Sequence, residues 1–480
     1  MLHSHRESHL RKLRAAGVPL RLGNIRGYMV GVIQHEAPEI FTQRNQSGRP
    51  YRLPNSSVRR FLHDELGWSL RQATRAAQKT PSNATHLIRQ SFVRLACLIR
   101  DEEIPACCIV NADQTQVVYS AGSGSSWNQS GERQVSVLGA DEKRAFTLMV
   151  GISMSGKVLP LQGIYAGKTT RSVPDSSSNG FERARTLGFQ FLPSLRGTYW
   201  STLSTMQSYV NEHLAPYFRN QICIHDLPAN QRCVFQIDCW ALHRSAEFRN
   251  WMSTNYPWIV LQYVPGGCTG LFQACDVVIQ RVLKLAIRDA CHEDVVNETL
   301  TLLESGALAS EILNDTTLKT LRNRSVRWIL EGYDAINDEE LVKKAFRLCE
   351  VPGTTFNLSY ESLTSREAKA AILELRTSDP ALYAEITSGC ASAIAEQEGE
   401  LKDAMVETAT EDEDILDISA PELRQAILDT SSPAELATLS LNDIGDDITC
   451  LDNHLAPTLS LPTQQNAQAG LRRSVRLSRR

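Results

Sequence analysis

The sequence has no run of 18 apolar residues, which speaks against a membrane-spanning helix and against a membrane as partner. Its opening, Met1-Leu-His-Ser-His-Arg6, lacks the apolar core of a secretory signal. Cysteine is present twelve times but never as a Cys-x-x-Cys pair, which excludes a zinc finger and a secreted disulfide framework and predicts buried free thiols in a reducing compartment. No solenoid, collagen or coiled-coil period occurs. What the chain does have is length and apolar matter: 480 residues, 42% hydrophobic, enough for two to four domains with a sizeable core.

Charge is unevenly distributed. The net value of −4 is uninformative, but residues 1–100 hold 17 Lys/Arg against 5 Asp/Glu, and residues 396–454 hold 2 against 17. A basic front implies a polyanionic partner, and the acidic, Ser/Thr-rich rear reads as a solvated tail able to compete for that front or simply to solubilise the chain. The last ten residues carry five arginines, a small import or phosphate-contact patch.

Periodicity divides the chain into four regions: a helical front over 1–104, a mixed α/β region over 105–292, helices over 293–390 and a largely disordered acidic tail over 391–480 with a short apolar helix near 421–428. Residues 55–79 predict two short helices. Asn55 or Ser56 caps the first, with Val58, Phe61, Leu62 and Leu66 inward; Gly67 breaks it; Ser69 caps the second. Another amphipathic helix is expected over 84–102. Strands are expected over 107–119, 133–138, 145–153 and 157–165, with Ser155-Gly156 turning between the last two. Residues 166–200, rich in Gly, Ser and Pro, read as a long loop. A helix over 201–219, a strand over 232–238, a helix over 245–255, a strand over 258–264 and a helix over 271–291 follow. Further helices are expected near 296–304, 317–333, 338–349 and 365–375.

Three acids stand where these elements converge: Asp113 inside the first strand, Asp238 ending a later one, and Asp276 in the first helical turn after the next. The 38 positions from Asp238 to Asp276 suit one helix, one strand and a loop, so the chain returns to the same edge of the sheet. Two divalent ions about 4 Å apart need several carboxylates on rigid elements. Mg²⁺ and Mn²⁺ take oxygen ligands and Mg²⁺ keeps waters, so two or three aspartates suffice. Any one of these aspartates alone is more readily a turn former or a helix cap.

Five motifs around the acids resemble one known family. They are Val110-Asn-Ala-Asp-Gln-Thr115, Glu142-Lys-Arg-Ala-Phe-Thr147, Gly156-Lys-Val-Leu-Pro-Leu-Gln-Gly163, Asp238 with His243, and Tyr263-Val-Pro-Gly-Gly-Cys-Thr-Gly270 leading to Gln273-Ala-Cys-Asp276. In order and spacing they look like a DDE-superfamily transposase of the pogo/Tigger/Jerky type, within the mariner superfamily, over about 105–290 and more weakly over 55–104 and 320–388. The resemblance implies a ribonuclease-H-like fold, catalytic metal-holding carboxylates at Asp113, Asp238 and Asp276, and two Mg²⁺ or Mn²⁺ ions. His243 matches the family's histidine after the second acid, which implies a contact to phosphate or to a metal-bound water; a helix cap or a packing role is equally open. One departure is Ala274, where the family commonly has proline. Another is the front: relatives often carry two helix-turn-helix units, and 104 residues leave no room for a complete pair, so reduced DNA specificity or a longer product is expected.

The helix pair at 55–79 resembles the centromere-protein-B type of helix-turn-helix. Arg71, Gln72, Arg75, Gln78 and Lys79 would face base edges and phosphates, with Arg59 and Arg60 on the backbone. A solvated basic hairpin is the plainer alternative. Lys143 and Arg144 are candidates for phosphate contact beside the acids, or an exposed turn. Trp127 would stack on a base or pack on the sheet, and Arg281, Lys284 and Arg288 form a basic stripe on one helix face or merely a solvated one. The expectation is a nuclear transposase that cleaves and joins double-stranded DNA at transposon ends and target, with a homodimer for two ends. The alternatives are a domesticated, non-cutting DNA-binding protein of chromatin and a ribonuclease-H-like nuclease.

Overall fold

The computed structural model describes residues 10–13, 20, 22–42, 44, 51–69, 81–119, 128–129, 143–308, 312–387 and 418–438. At the front, helix α1 (Leu22–Glu36) buries Leu22, Ile25, Met29 and Ile33, a stripe at helical spacing. Helix α2 (Asn55–Arg60) follows and runs into a π turn, Phe61–Glu65, that ends at Leu66 before Gly67, whose φ of 64° only glycine adopts freely. Val58, Phe61, Leu62 and Leu66 point inward as expected. The expected cap does not form. Pro54 is the flanking residue, and Asn55 lies in the first turn, where its side chain accepts from Arg26 and donates to Glu422. The second helix of the expected pair falls on residues 70–80, outside the described ones, as do Arg71, Gln72, Arg75, Gln78 and Lys79 and the strand expected over 133–138.

Helix α3 (Ala84–Asp101) belongs elsewhere. Ile88, Phe92, Leu95, Ala96 and Ile99 join the core of the central sheet, not the small front cluster. Phe92 stacks on Phe356 with ring centres 4.8 Å apart, and Arg94 holds Glu385 with two hydrogen bonds. A boundary at 104/105 therefore cuts a helix from the core it packs on.

The sheet has six strands: β1 (Ile109–Val118), β2 (Ala145–Ser153), β3 (Gln162–Tyr165), β4 (Gln190–Pro193), β5 (Cys233–Ile237) and β6 (Ile259–Tyr263), in the order β4-β3-β2-β1-β5-β6. β1, β2 and β3 are antiparallel, and β5 and β6 run parallel to β1. This is the ribonuclease-H-like sheet that the motifs imply, with β4 added parallel to β3 at the far edge. β2 is buried at all nine positions, so its side chains are apolar or small on both faces. The strand expected over 157–165 is shorter, because Pro160 cannot donate to a ladder; only an isolated bridge, Ile152 to Val158, precedes it. The expected loop over 166–200 contains a helix (Phe181–Thr186) and β4.

Helix α4 (Leu203–Tyr209) continues through a π turn (Val210–Leu214) into Ala215–Ile224. Pro216 has no N–H for an ordinary helical bond, and the turn before it widens: Ala215 N–H reaches back to Val210 O. Tyr209 comes so close to the sheet that a Cβ on Gly151 would lie 2.1 Å from its hydroxyl. His213, in the widened turn, is buried, and its Nε2 finds no partner among the described residues. Burial pushes its pKa down to about 4. A depressed value means that the unfolded chain takes the proton first, so stability is intact above the ordinary value near 6.5 and falls as pH drops towards 4. The loss at pH 5 is expected to be about 2 kcal/mol. Urea midpoints at pH 7.5 and pH 5 should draw apart less in His213→Leu than in the unmodified chain; equal gaps would remove His213 as the cause.

Helix α5 (Ala246–Asn255) is capped by Ser245, whose hydroxyl accepts from Phe248 N–H. Past β6, a short helix (Thr269–Phe272) and a π turn (Cys275–Ile279) lead into α6 (Gln280–Glu304). The two helices expected near 271–291 and 296–304 are thus one, and the boundary at 292/293 falls inside it. Its second half carries Val295, Val296, Leu300 and Leu303 against the front cluster. Helix α7 (Leu318–Ile336) lies along α6. There Asp294 accepts from the Trp328 indole and the Arg327 guanidinium, each at 2.6 Å. Helices α8 (Glu339–Arg347) and α9 (Arg366–Ser378) follow, close to the expected positions. Within the region expected to be a tail, helix α10 (Ala420–Asp429) is packed: Ala420, Leu423 and Ile427 join the main core. No helix among the described residues is long and apolar enough to cross a membrane. No cysteine among them is disulfide-bonded, and most are buried.

Candidate functional site

The parallel register of β1 and β5 sets Asn111 opposite Gln236. Continued two residues, it brings Asp113 level with Asp238, just past the end of β5. The third acid arrives from the other side: Cys275 N–H donates to Asn111 Oδ1 at 3.0 Å, which seats the π turn and Asp276 against β1. Asp113 is 8% exposed and shares a hydrogen bond with Asp276. Its Oδ2 also accepts from Gln280 Nε2, on the same helical face as Asp276. Burial, then the neighbouring charge of Asp238, pushes the Asp113 carboxyl up to about 6; bonds from Asp276, the Gln114 main chain and Gln280 pull the other way.

His243 is 1% exposed, too enclosed to touch a phosphate. Its Nδ1 stands 2.6 Å from Asp238 Oδ1, and its main-chain oxygen accepts from Tyr263 OH at 2.7 Å. On the other side, Nε2 lies 3.5 Å from Gln114 Nε2, and the Trp240 ring meets it edge-on at 5.4 Å. The geometry favours orientation of the second acid over the phosphate contact that the resemblance implied.

Three acids on two parallel strands and a helix start are hard oxygen donors of the kind Mg²⁺ and Mn²⁺ accept. A divalent ion therefore fits the residues chemically. Among the described residues no three His, Cys, Asp or Glu form a closed cluster as they stand. Asp113 and Asp276 touch, while Asp238 gives one oxygen to His243. The donor set is that of an ion site, in an open arrangement.

The basic candidates lie apart from the acids or are engaged. Arg144 O accepts from Tyr119 N–H, six residues along β1 from Asp113, or about 20 Å at ordinary strand rise. Lys143 is exposed next to it. Arg281, Lys284 and Arg288 are half-buried and partnered. On α2, Arg60 is exposed and Arg59 half-buried. Trp127 is outside the described residues. Asn111 and Gln280 were missed in the sequence: an amide inside an apolar strand or early in a helix has no signal until the register is known.

Residues 143–345 match the family described as DDE superfamily endonuclease. That stretch includes Asp238 and Asp276 and begins after Asp113, which the sheet register adds. No curated protein matches the chain significantly. Among solved structures, the Mos1 transposase paired-end complex with left transposon end is 10% identical, covering 59% of this chain and 69% of that one, with a TM-score of 0.28. The Mos1 strand transfer complex is 14% identical, covering 62% and 66%, with a TM-score of 0.29. The mariner Mos1 paired end complex with Mg is 14% identical, covering 67% and 75%, again with 0.29. At such scores the fold rests on the strand order and register above. Residues 143–345, which carry most of the six-stranded sheet together with Asp238 and Asp276, are thus similar to the DDE superfamily endonuclease domain.

Proposed function

We propose that the chain is a transposase of the mariner superfamily, cleaving and joining double-stranded DNA in the nucleus. The observation that carries this reading is the convergence of Asp113, Asp238 and Asp276 at one edge of the sheet, within a stretch similar to the DDE superfamily endonuclease domain. Asp113, Asp238 and Asp276 would hold two Mg²⁺ or Mn²⁺ ions. Such ions supply Lewis acidity at a phosphodiester and lower the pKa of an attacking water or 3′-hydroxyl. The chain's own part is geometric. β1 and the π turn before α6 fix Asp113 and Asp276 on rigid elements, Gln280 turns the Asp113 carboxylate, and buried His243 fixes that of Asp238. Arg59 and Arg60 would contact backbone phosphate, and Arg71, Gln72, Arg75 and Lys79 on the following segment base edges and phosphates, which makes binding salt-dependent. Lys143 and Arg144 would meet DNA away from the acids. Two ends call for two copies, hence a homodimer.

The second reading, a DNA-binding protein that does not cut, has one observation in its favour: the acids form no closed cluster. Nicking of a supercoiled plasmid carrying the element's ends separates the two. Cutting that requires Mg²⁺ or Mn²⁺ and is lost in Asp238→Asn supports the transposase. Tight, salt-sensitive binding with no cutting by either protein supports the non-cutting reading.

A further inference from the structure

Asn111 does more than seat the π turn, for it touches all three acid-bearing elements. It lies in β1, fully buried, two residues before Asp113 and therefore on the same face of the strand. Its Nδ2 donates to Gln236 O at 3.3 Å, two residues before Asp238. Its Oδ1 accepts from Cys275 N–H at 3.0 Å, one residue before Asp276. Its main-chain oxygen receives the Cys275 thiol at 3.7 Å. One planar amide thus ties β1, β5 and the start of the long helix together, one or two residues behind each acid.

Resting on the three-acid reading, we propose that Asn111 is a positioning residue that sets the spacing of Asp113, Asp238 and Asp276 for divalent ions. The position needs one donor and one acceptor on the same short group. A carboxylate would turn a second acceptor on Gln236 O. A leucine would fill the space but leave Cys275 N–H, at a helix start without a main-chain acceptor, buried and unpaired. The carboxylate thus loses the tie to β5 and the leucine the bond that seats the π turn on β1, and either change frees one acid from its fixed distance to Asp113. Groups that orient metal ligands are typically worth 10- to 100-fold in metal affinity.

Mn²⁺ affinity of the full chain, read by calorimetry and by the metal-induced rise in melting temperature, tests this without reference to cutting. Asn111→Leu should bind Mn²⁺ at least about tenfold more weakly while keeping the far-ultraviolet spectrum of the unmodified chain. Val234→Ala, a packing loss on β5 that leaves the amide contacts intact, should lower the melting temperature and leave Mn²⁺ affinity unchanged. Asn111→Leu that folds and binds Mn²⁺ normally overturns the proposal. If it does not fold, Asn111→Ser, too short to span both partners, is read in the same way. If neither folds, Asn111 serves the fold as a whole and the proposal falls. Asp113→Asn separates the two levels: normal Mn²⁺ binding by that variant sinks the three-acid reading itself, whereas weak binding by it beside normal binding by Asn111→Leu removes only the role of Asn111.

Discussion

Asp113→Asn is expected to abolish metal-dependent nicking, by at least about a thousandfold, while making the metal-free protein more stable. The two effects share one cause. The carboxyl of Asp113 is buried beside Asp238, and its pKa is raised to about 6. A raised value means that the ionised form is disfavoured by the fold, so the free protein loses stability as pH climbs from the ordinary carboxylate range through 6. Asparagine keeps the shape, and its Oδ1 still accepts from Gln280, but it carries no charge. At neutral pH the substitution should stabilise the metal-free chain by up to about 3 kcal/mol. Added Mg²⁺ or Mn²⁺ should reverse the order, because the unmodified chain gains binding energy that the variant has lost. Melting temperatures of both proteins with and without metal, beside the plasmid assay, decide it. A variant that is less stable without metal would mean that Asp113 serves the fold; one that still cuts would exclude it from the site.

The parts of this arrangement that were legible in the sequence are those with a strong local signal. β2, β5 and β6 are short apolar runs because they are buried, and runs of that kind bounded by turn residues read as strands. Asp113, Asp238 and Asp276 stood out by their joint order, in a strand, at a strand end and at a helix start, since a single acid there is ordinarily a turn former or a cap. Other parts had no local signal. β4 is Gln-Phe-Leu-Pro at half-buried edge positions inside a Gly/Ser/Pro-rich stretch, and its strand character comes from pairing with β3. The single helix α6 read as two, because its face changes partners midway, from the sheet core to the front cluster. For His243 a contact to phosphate or metal-bound water and a capping or packing role stayed equally open, because sequence does not record burial. Asn111 and Gln280 looked like ordinary polar residues because their partners are more than a hundred positions away.

The acidic rear was expected to hold a short apolar helix near 421–428, and α10 is where its packing can be tested. Its composition suggested solvation, yet Ala420, Leu423 and Ile427 fall at i, i+3 and i+7 and are buried together. Ser419 and Glu422 form a capping box, and Pro421 sits in the first turn, where a missing N–H costs nothing. At the other end the Lys344 ammonium donates to the Leu428 and Thr430 carbonyls, and midway Arg424 pairs with Asp338. Glu422 reaches further, accepting from Asn55 Nδ2 at 3.1 Å and lying 3.6 Å from the Arg26 guanidinium. One ten-residue helix therefore joins α1 and α2 at the front to α6, the helix that follows the π turn carrying Asp276, through Ala420 N–H and Asp289. Leu423→Ala should cost about 2–5 kcal/mol, the range for a buried leucine whose cavity does not collapse. Glu422→Gln, which keeps the shape and removes one half-exposed charge, should cost about 1 kcal/mol or less. Because the front cluster leans on the same helix, proteolysis of Leu423→Ala under native conditions should open the 418–438 segment and the α1–α2 region together. Cleavage confined to the 418–438 segment would mean that the front is held by its own apolar contacts with Val295, Val296, Leu300 and Leu303 alone, and that the acidic rear is packed but not coupled to it.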